Sequence, residues 1–393
     1  MSGGPRRYGG EPLGDRPRLA IIGSNRLGNF VVTTPLLRGI RKRWPGATVD
    51  FLGSPATAEL EAACPWIDWR ADVFPLDGSS PDASSLDAPP APVAARIADA
   101  GPYDLAINCN GFDREATTLA GRLGARFVAG ASGAPISCGD HPYQRMVLED
   151  DWTTREFLAR HGAWLTSNYI GELFCRMAFI ETDFFRIEIE GRTPGFPVPD
   201  VLIHPSSTRD AKLWPSDRWL AVLDACAGRG LSVGLVGAPA ARAEPATDGT
   251  LASHAVPEGP QDPGRIERAI ATHPAVEDLR GRTSPLELAG AFQAARACLS
   301  VDSGPLHVAA AVGCPTVAIC ATDAAGTGAS PRDLWMPRGP HVRVTVSERT
   351  CGTCLANRFR NSACLEAEPW CQLGVSTDQV IRLLEDLLPC APD

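Results

Sequence analysis

The chain contains no uninterrupted apolar run long enough to cross a bilayer, and its first fifteen residues, rich in glycine, proline and arginine, hold no apolar segment. A spanning helix needs about 20 consecutive apolar residues. No transmembrane segment is therefore expected, and residues 1–16 read as a disordered tail on a cytoplasmic protein. A basic surplus is also missing. With 37 Lys and Arg against 46 Asp and Glu the net charge is −9 and the pI is near 5.4, which argues against a nucleic-acid partner because phosphate backbones are bound by basic surface. Three signatures of other chemistries are absent: a Gly-x-Gly-x-x-Gly turn after a strand, a Walker-type loop, and a Gly-x-Ser-x-Gly nucleophile elbow. The first two absences weaken a dinucleotide-dependent oxidoreductase and a kinase, and the third an elbow hydrolase.

The composition, 44% hydrophobic and 21% charged, is that of a soluble globular protein, and 393 residues exceed what one hydrophobic core serves, so two domains are expected. Alternating segments support an α/β class. Residues 18–23 form a short apolar strand, 31–44 a helix with Leu36, Leu37 and Ile40 on one face, and 48–53 a second strand, which makes a strand-helix-strand crossover. The alternation continues through residue 129 and then becomes mostly helical over 151–185. Residues 191–199 carry three prolines and two glycines, a composition that neither a helix nor a central strand tolerates, and read as a linker. After it the alternation restarts. The expected organisation is a tail (1–16), one Rossmann-like domain (17–190), the linker, a second Rossmann-like domain (200–345), and a Cys-rich loop with a C-terminal helix (346–393).

Four loops that follow strands carry candidate chemistry. One holds Gly28, Asn29 and Thr34; a second holds Asn110 after the strand ending at Asn108. A third, residues 204–215, offers the hydroxyls of Ser206, Ser207 and Thr208 with Lys212 before a helix that opens near Ser216. The fourth organises the rest: a buried strand through Val301, then Asp302, Ser303 and Gly304, then a short helix opening at Pro305 and stopping at Gly313, with His307 in its first turn. Proline suits the first helical position and glycine the stop. Free N–H groups and the positive end of the helix dipole then lie beside a carboxylate and an imidazole, as an anion site requires. In open α/β sheets, ligands sit at the carboxyl ends of the strands, which puts a site between the two domains.

These loops, in this order, resemble glycosyltransferase family 9, the bacterial heptosyltransferases that use ADP-heptose to extend the lipopolysaccharide core. The resemblance is carried by Gly28-Asn29 with Thr34-Pro35-Leu36-Leu37, by Tyr103-Asp104-Leu105, by His204-Pro205-Ser206 through Lys212-Leu213-Trp214-Pro215, and by Asp302-Ser303-Gly304-Pro305-Leu306-His307. It implies a GT-B fold, two Rossmann-like doubly wound domains facing each other across a cleft, with an N-terminal acceptor domain, a C-terminal donor domain and an inverting transfer without a catalytic cofactor. By family pattern Ser206, Ser207, Thr208 and Lys212 hold the diphosphate of a nucleotide-sugar donor, Asp302 binds sugar hydroxyls, and Ser303, Gly304 and His307 sit at the phosphates. Gly28, Thr34 and Asn110 lie on the acceptor side.

The family's proposed base is the aspartate of a Gly-Asp pair, and this chain has Asn29 there. A neutral amide cannot accept the proton of an acceptor hydroxyl. Three explanations stay open: another carboxylate, with Asp113, Asp140 and Asp151 as candidates; an acceptor nucleophile that needs less help; or a catalytically silent nucleotide-sugar-binding protein. The acceptor is a glycan or a small molecule, with peripheral membrane association if it is a lipid-linked glycan. Nine of the thirteen cysteines are scattered, many of them in apolar runs, and read as buried hydrophobes. The other four, Cys351, Cys354, Cys364 and Cys371, have spacing that suits a structural Zn or Fe, or else remain reduced thiols in a packed loop.

Overall fold

The computed structural model describes residues 5–74, 88–111, 113–132, 155–239, 263–357, 361 and 363–388. The chain divides into two units, Met1–Ile187 and Glu188–Asp393. Unit 1 has six parallel strands, β1 (Arg6–Arg7), β2 (Arg18–Ile22), β3 (Thr48–Gly53), β4 (Trp69–Asp72), β5 (Leu105–Asn108) and β6 (Phe127–Ala129), in the order β1-β6-β5-β2-β3-β4. Unit 2 has β7 (Val201–His204), β8 (Val233–Leu235), β9 (Val276–Asp278), β10 (Ala297–Val301), β11 (Thr316–Ile319) and β12 (Val342–Val344), in the order β12-β11-β10-β7-β8-β9, again all parallel. Both are doubly wound Rossmann-like sheets. Each reverses its strand order at one place, between β2 and β5 in unit 1 and between β7 and β10 in unit 2. A ligand crevice forms at that switch point, and the four candidate loops leave these four strands.

The strands are apolar on both faces because helices cover both. Leu19, Ile21, Ile22, Leu202, Ile203 and Leu299 are fully buried. The helix after β2 runs Leu27–Arg43 and begins four residues before its expected start, so Gly28 and Asn29 lie in its first turn. Pro35 inside this helix removes the N–H that would bond to Val31 O, and the Thr34 hydroxyl replaces it at 2.7 Å. Two arginines of the basic run at the end of this helix anchor it. Arg38 donates to Arg186 O and Asp183 O, and Arg41 to Ala47 O and Trp66 O.

Two expectations are corrected. The stretch assigned to a disordered tail is part of the sheet from Arg6 onward: β1 pairs with β6, and Tyr8 is 1% exposed, edge-on to Phe127 and Phe179. Aromatic burial outweighs the flexible composition. The stretch read as a linker is fastened to unit 2. Arg192 N donates to Leu286 O at 2.9 Å and its guanidinium to Ser284 Oγ, and the backbones of Gly191 and Gly290 touch. Strand β9 and helix Pro263–Ala271 lie in a region without clear sequence signal. The last helix, Thr377–Leu387, packs its apolar face on helix Ser216–Gly228.

A Cβ on Gly290 would strike the Arg192 carbonyl, whereas one on Gly228 would meet open space. Gly290→Ala is expected to destabilise unit 2 by about 1–3 kcal/mol, read as a lower urea midpoint with an unchanged slope. Gly228→Ala should leave the midpoint in place or raise it.

Candidate functional site

The first polar groups to meet at the carboxyl end of the unit 2 sheet are Lys212 and Asp302. The loop after β7 closes a single 3-10 turn, Asp210–Lys212, and the turn after β10 presents Asp302. Lys212 Nζ donates to Asp302 Oδ2 at 2.5 Å, with side-chain exposures of 14% and 6%. Burial pushes the Asp302 carboxyl up, but the Lys212 ammonium outweighs it and holds the group below its ordinary value.

Helix Gly304–Ala311 begins immediately after, one residue earlier than expected, with Pro305 in its first turn and Gly313 at φ +78° just past its end. No side chain caps its N-terminus. The Ser303 hydroxyl is turned back into the fold, 3.0 Å from His204 Nδ1 and donating to Val301 O. His307 is 5% exposed, beside Asp302 and Lys212, with no hydrogen-bond partner at Nδ1. Burial lowers the His307 pKa to about 4, with Asp302 pulling it up and Lys212 pulling it down, and burial alone takes His204 to about 4. Both imidazoles are therefore neutral at pH 7. The pair of cation and carboxylate thus lies beside a helix start with free N–H groups, an arrangement suited to an anion carrying neighbouring hydroxyls.

Residues 180–362 match the family model of glycosyltransferase family 9 (heptosyltransferase). No curated protein matches the chain's sequence. Among solved structures it is similar to a glycosyltransferase family 9 protein of Veillonella parvula DSM 2008, at 19% identity and TM-score 0.63 over 95% of this chain and 97% of that one. It is similar to E. coli ADP-heptose LPS heptosyltransferase II, at 16% identity and TM-score 0.57 over 94% and 98%. It is also similar to E. coli heptosyltransferase WaaC with ADP, at 17% identity and TM-score 0.55 over 94% and 99%. These likenesses show a shared fold with two Rossmann-like units. Among the described residues no helix is long and apolar enough to cross a membrane.

The other expected positions fall as follows. Ser207 and Thr208 lie on the loop with Lys212, and Thr208 is exposed. The Ser206 hydroxyl donates to Glu267, whose second oxygen accepts from Arg280 at 2.7 Å. Arg280 also grips Asp278, and these hydrogen bonds raise its pKa against the opposing effect of burial. Glu267 and Arg280 carried no signal in the sequence: they follow no motif, and they come near Ser206 only because β8 pairs with β7 and β9 with β8. In unit 1, Gly28 is buried, Asn29 half-buried, and Thr34 fully buried with its hydroxyl engaged as above. Asn110 N donates to Asn108 Oδ1 at 2.8 Å. Asp113 caps helix Arg114–Arg122 by accepting from Ala116 N. Asp140 and Asp151 lie outside the described residues.

Cys354 and Cys371 are buried, and Cys351 packs against them. Burial, and then the nearness of the other three cysteines of the group, push Cys371 up to about 11. Among the described residues no three His, Cys, Asp or Glu side chains are placed to hold a metal ion, so Cys351, Cys354, Cys364 and Cys371 are neighbours that do not converge on one point. Asn361 Nδ2 donating to Cys354 Sγ at 3.2 Å supplies order instead.

The neutral histidines set a pH dependence. Unfolded imidazoles titrate near 6.5, so between about 6.5 and 4 the unfolded chain binds more protons, and stability present above pH 6.5 is lost as pH falls toward 4. Each buried histidine accounts for up to about 3 kcal/mol. Thermal melts at pH 7.5 and 5 should show the loss, and His307→Gln should reduce the difference between them.

Proposed function

We propose that this chain transfers a sugar from a nucleoside-diphosphate sugar, with heptose from ADP-heptose as the first candidate, to a hydroxyl of a glycan or a small molecule. The observation that carries the reading is the buried Lys212–Asp302 pair beside an uncapped helix start at the switch point of unit 2. The family match over residues 180–362 and the ADP-bound structural relative support it.

In this reading Lys212, the hydroxyls of Ser207 and Thr208, and the N–H groups opening helix Gly304–Ala311 hold the diphosphate. Ser206 stays with Glu267, and Ser303 with His204, so both shape the crevice from behind. Breaking the bond from anomeric carbon to phosphate oxygen places negative charge on the leaving diphosphate. Fixed N–H donors and an ammonium stabilise that charge most in the transition state, where their effect on rate is largest. Asp302, ionised and fixed by Lys212, accepts hydrogen bonds from sugar hydroxyls and opposes the positive charge that develops on the ring. His307, neutral, contributes a donor or an acceptor without adding charge.

Unit 1 takes the acceptor. Asn29, in the first turn of its helix, orients the hydroxyl through its amide and leaves proton removal to another group. Asp113 caps its helix through Oδ1, which leaves Oδ2 to accept a proton.

A panel of ADP, UDP, GDP and dTDP separates this reading from its rivals by thermal shift. A ligand at a hundred times its dissociation constant raises stability by about 2.7 kcal/mol. ADP is expected to raise the melting temperature of the wild type far more than that of Lys212→Ala; stabilisation by NAD, tested beside the panel, and by none of the diphosphates would contradict the reading. With donor and acceptor in hand, Asp302→Ala should lower kcat by about a hundredfold or more, and Asn29→Ala by about tenfold or less. An Asn29→Ala loss as large as that of Asp302→Ala would rule out a merely orienting amide, and a wild type that binds the nucleotide without transfer or hydrolysis would identify a silent binding protein.

A further inference from the structure

The Cys-rich segment is tied directly to the turn that carries Lys212. Gln372, 1% exposed, donates from Nε2 to Ala211 O at 2.5 Å, one residue before the lysine. On the other side of the turn Arg209 donates from Nε and Nη2 to Asn361 O at 3.0 and 2.7 Å. Asn361 is itself held by its bonds to Cys354 Sγ and Ala363 O. The Ala211 side chain closes a small apolar cluster with Ala321, Ala329, Cys354 and Cys371. Beyond the turn, Trp214 Nε1 donates to Val375 O at 3.1 Å. Residues 354–375 therefore hold the turn on both flanks, and none of these contacts uses the Lys212 ammonium.

We infer that Gln372, with the Arg209–Asn361 contact opposite it, is a positioning residue for Lys212, so that the Cys-rich segment sets donor affinity without touching the donor. The inference rests on the donor-site reading of Lys212 and Asp302. Its physical basis is the Ala211 carbonyl. This group is buried, and without Gln372 it has to find another partner, which rotates the peptide next to Lys212. A lysine side chain has four flexible methylenes and delivers its charge to one place only if its backbone is fixed. The thiols matter as packing: Cys354 and Cys371 are the floor on which Ala211 rests.

The test is a double-mutant cycle with Gln372→Met, which keeps the length of the side chain and removes the donor, and Lys212→Ala. The readout is the dissociation constant of ADP, or of whichever nucleoside diphosphate stabilises the wild type most, measured by calorimetry well below the melting temperature. Gln372→Met is expected to weaken binding about tenfold in the wild-type background and to have little further effect in Lys212→Ala, because its action passes through the lysine. Val93→Ala, a truncation in the separate core of unit 1, should lower the melting temperature without changing the dissociation constant. If Gln372→Met fails to fold, Arg209→Met removes the opposite hold and should give the same non-additive pattern. Unchanged affinity in either variant, or additivity with Lys212→Ala, overturns the positioning role alone. A wild type that responds to no nucleoside diphosphate overturns the donor-site reading and the inference together.

Discussion

The Lys212 ammonium lies 2.5 Å from the largely buried Asp302 carboxylate and holds that carboxyl below its ordinary pKa against the opposing effect of burial. Taking both groups from water costs several kcal/mol per ion, and their mutual attraction returns about that much only at close range and good geometry. Such a pair adds little to stability, and losing either partner strands the other. The surrounding structure has to hold two loops, 90 residues apart in sequence, in register to within a few tenths of an ångström. It does so with β7 and β10, hydrogen-bonded neighbours at the centre of the sheet, and with the contacts of the Cys-rich segment on the Lys212 turn.

Outward from that pair, along the carboxyl edge, charge is consistently compensated. His307 is buried, His204 partly buried, and both are neutral. Glu267 is shared between Ser206 and Arg280, and Arg280 in turn holds Asp278. The cation left closest to an uncapped helix start is the one paired to a single carboxylate. A dianionic diphosphate arriving there meets Lys212 and fixed N–H groups without displacing any other ion pair, whereas on the β8 and β9 side it would have to compete with two carboxylates for Arg280. In the proposed reading that asymmetry favours the β7–β10 crevice for the phosphates.

The local sequence was sufficient wherever the chain's own neighbours decide the conformation. The apolar runs of β2, β7 and β10 needed no partner to be recognised as buried strands. Pro305 and Gly313 bracket their helix by backbone geometry alone. Where distant contacts decide, composition misled. Arg6 to Tyr8 looked like tail but pairs with β6 and buries a ring between Phe127 and Phe179. Residues 191 and 192 looked like free linker but lie against Gly290. Thr34 read as an acceptor-side hydroxyl and is the internal substitute for the N–H that Pro35 lacks.

Sequence by itself determined the class of fold, two doubly wound parallel sheets, and which loops follow the central strands, because period, proline and glycine placement and the order of strands and loops are properties of a linear chain. It also exposed the exchange of a carboxylate for Asn29. Only the tertiary structure decided which of the loop residues meet: Lys212 with Asp302, Ser206 with Glu267, Ser303 with His204, and Gln372 with the carbonyl beside Lys212. Those pairings depend on which strands become neighbours and on how deeply each polar group is buried, and burial is what turns an ordinary lysine, aspartate or amide into one with a single permitted partner.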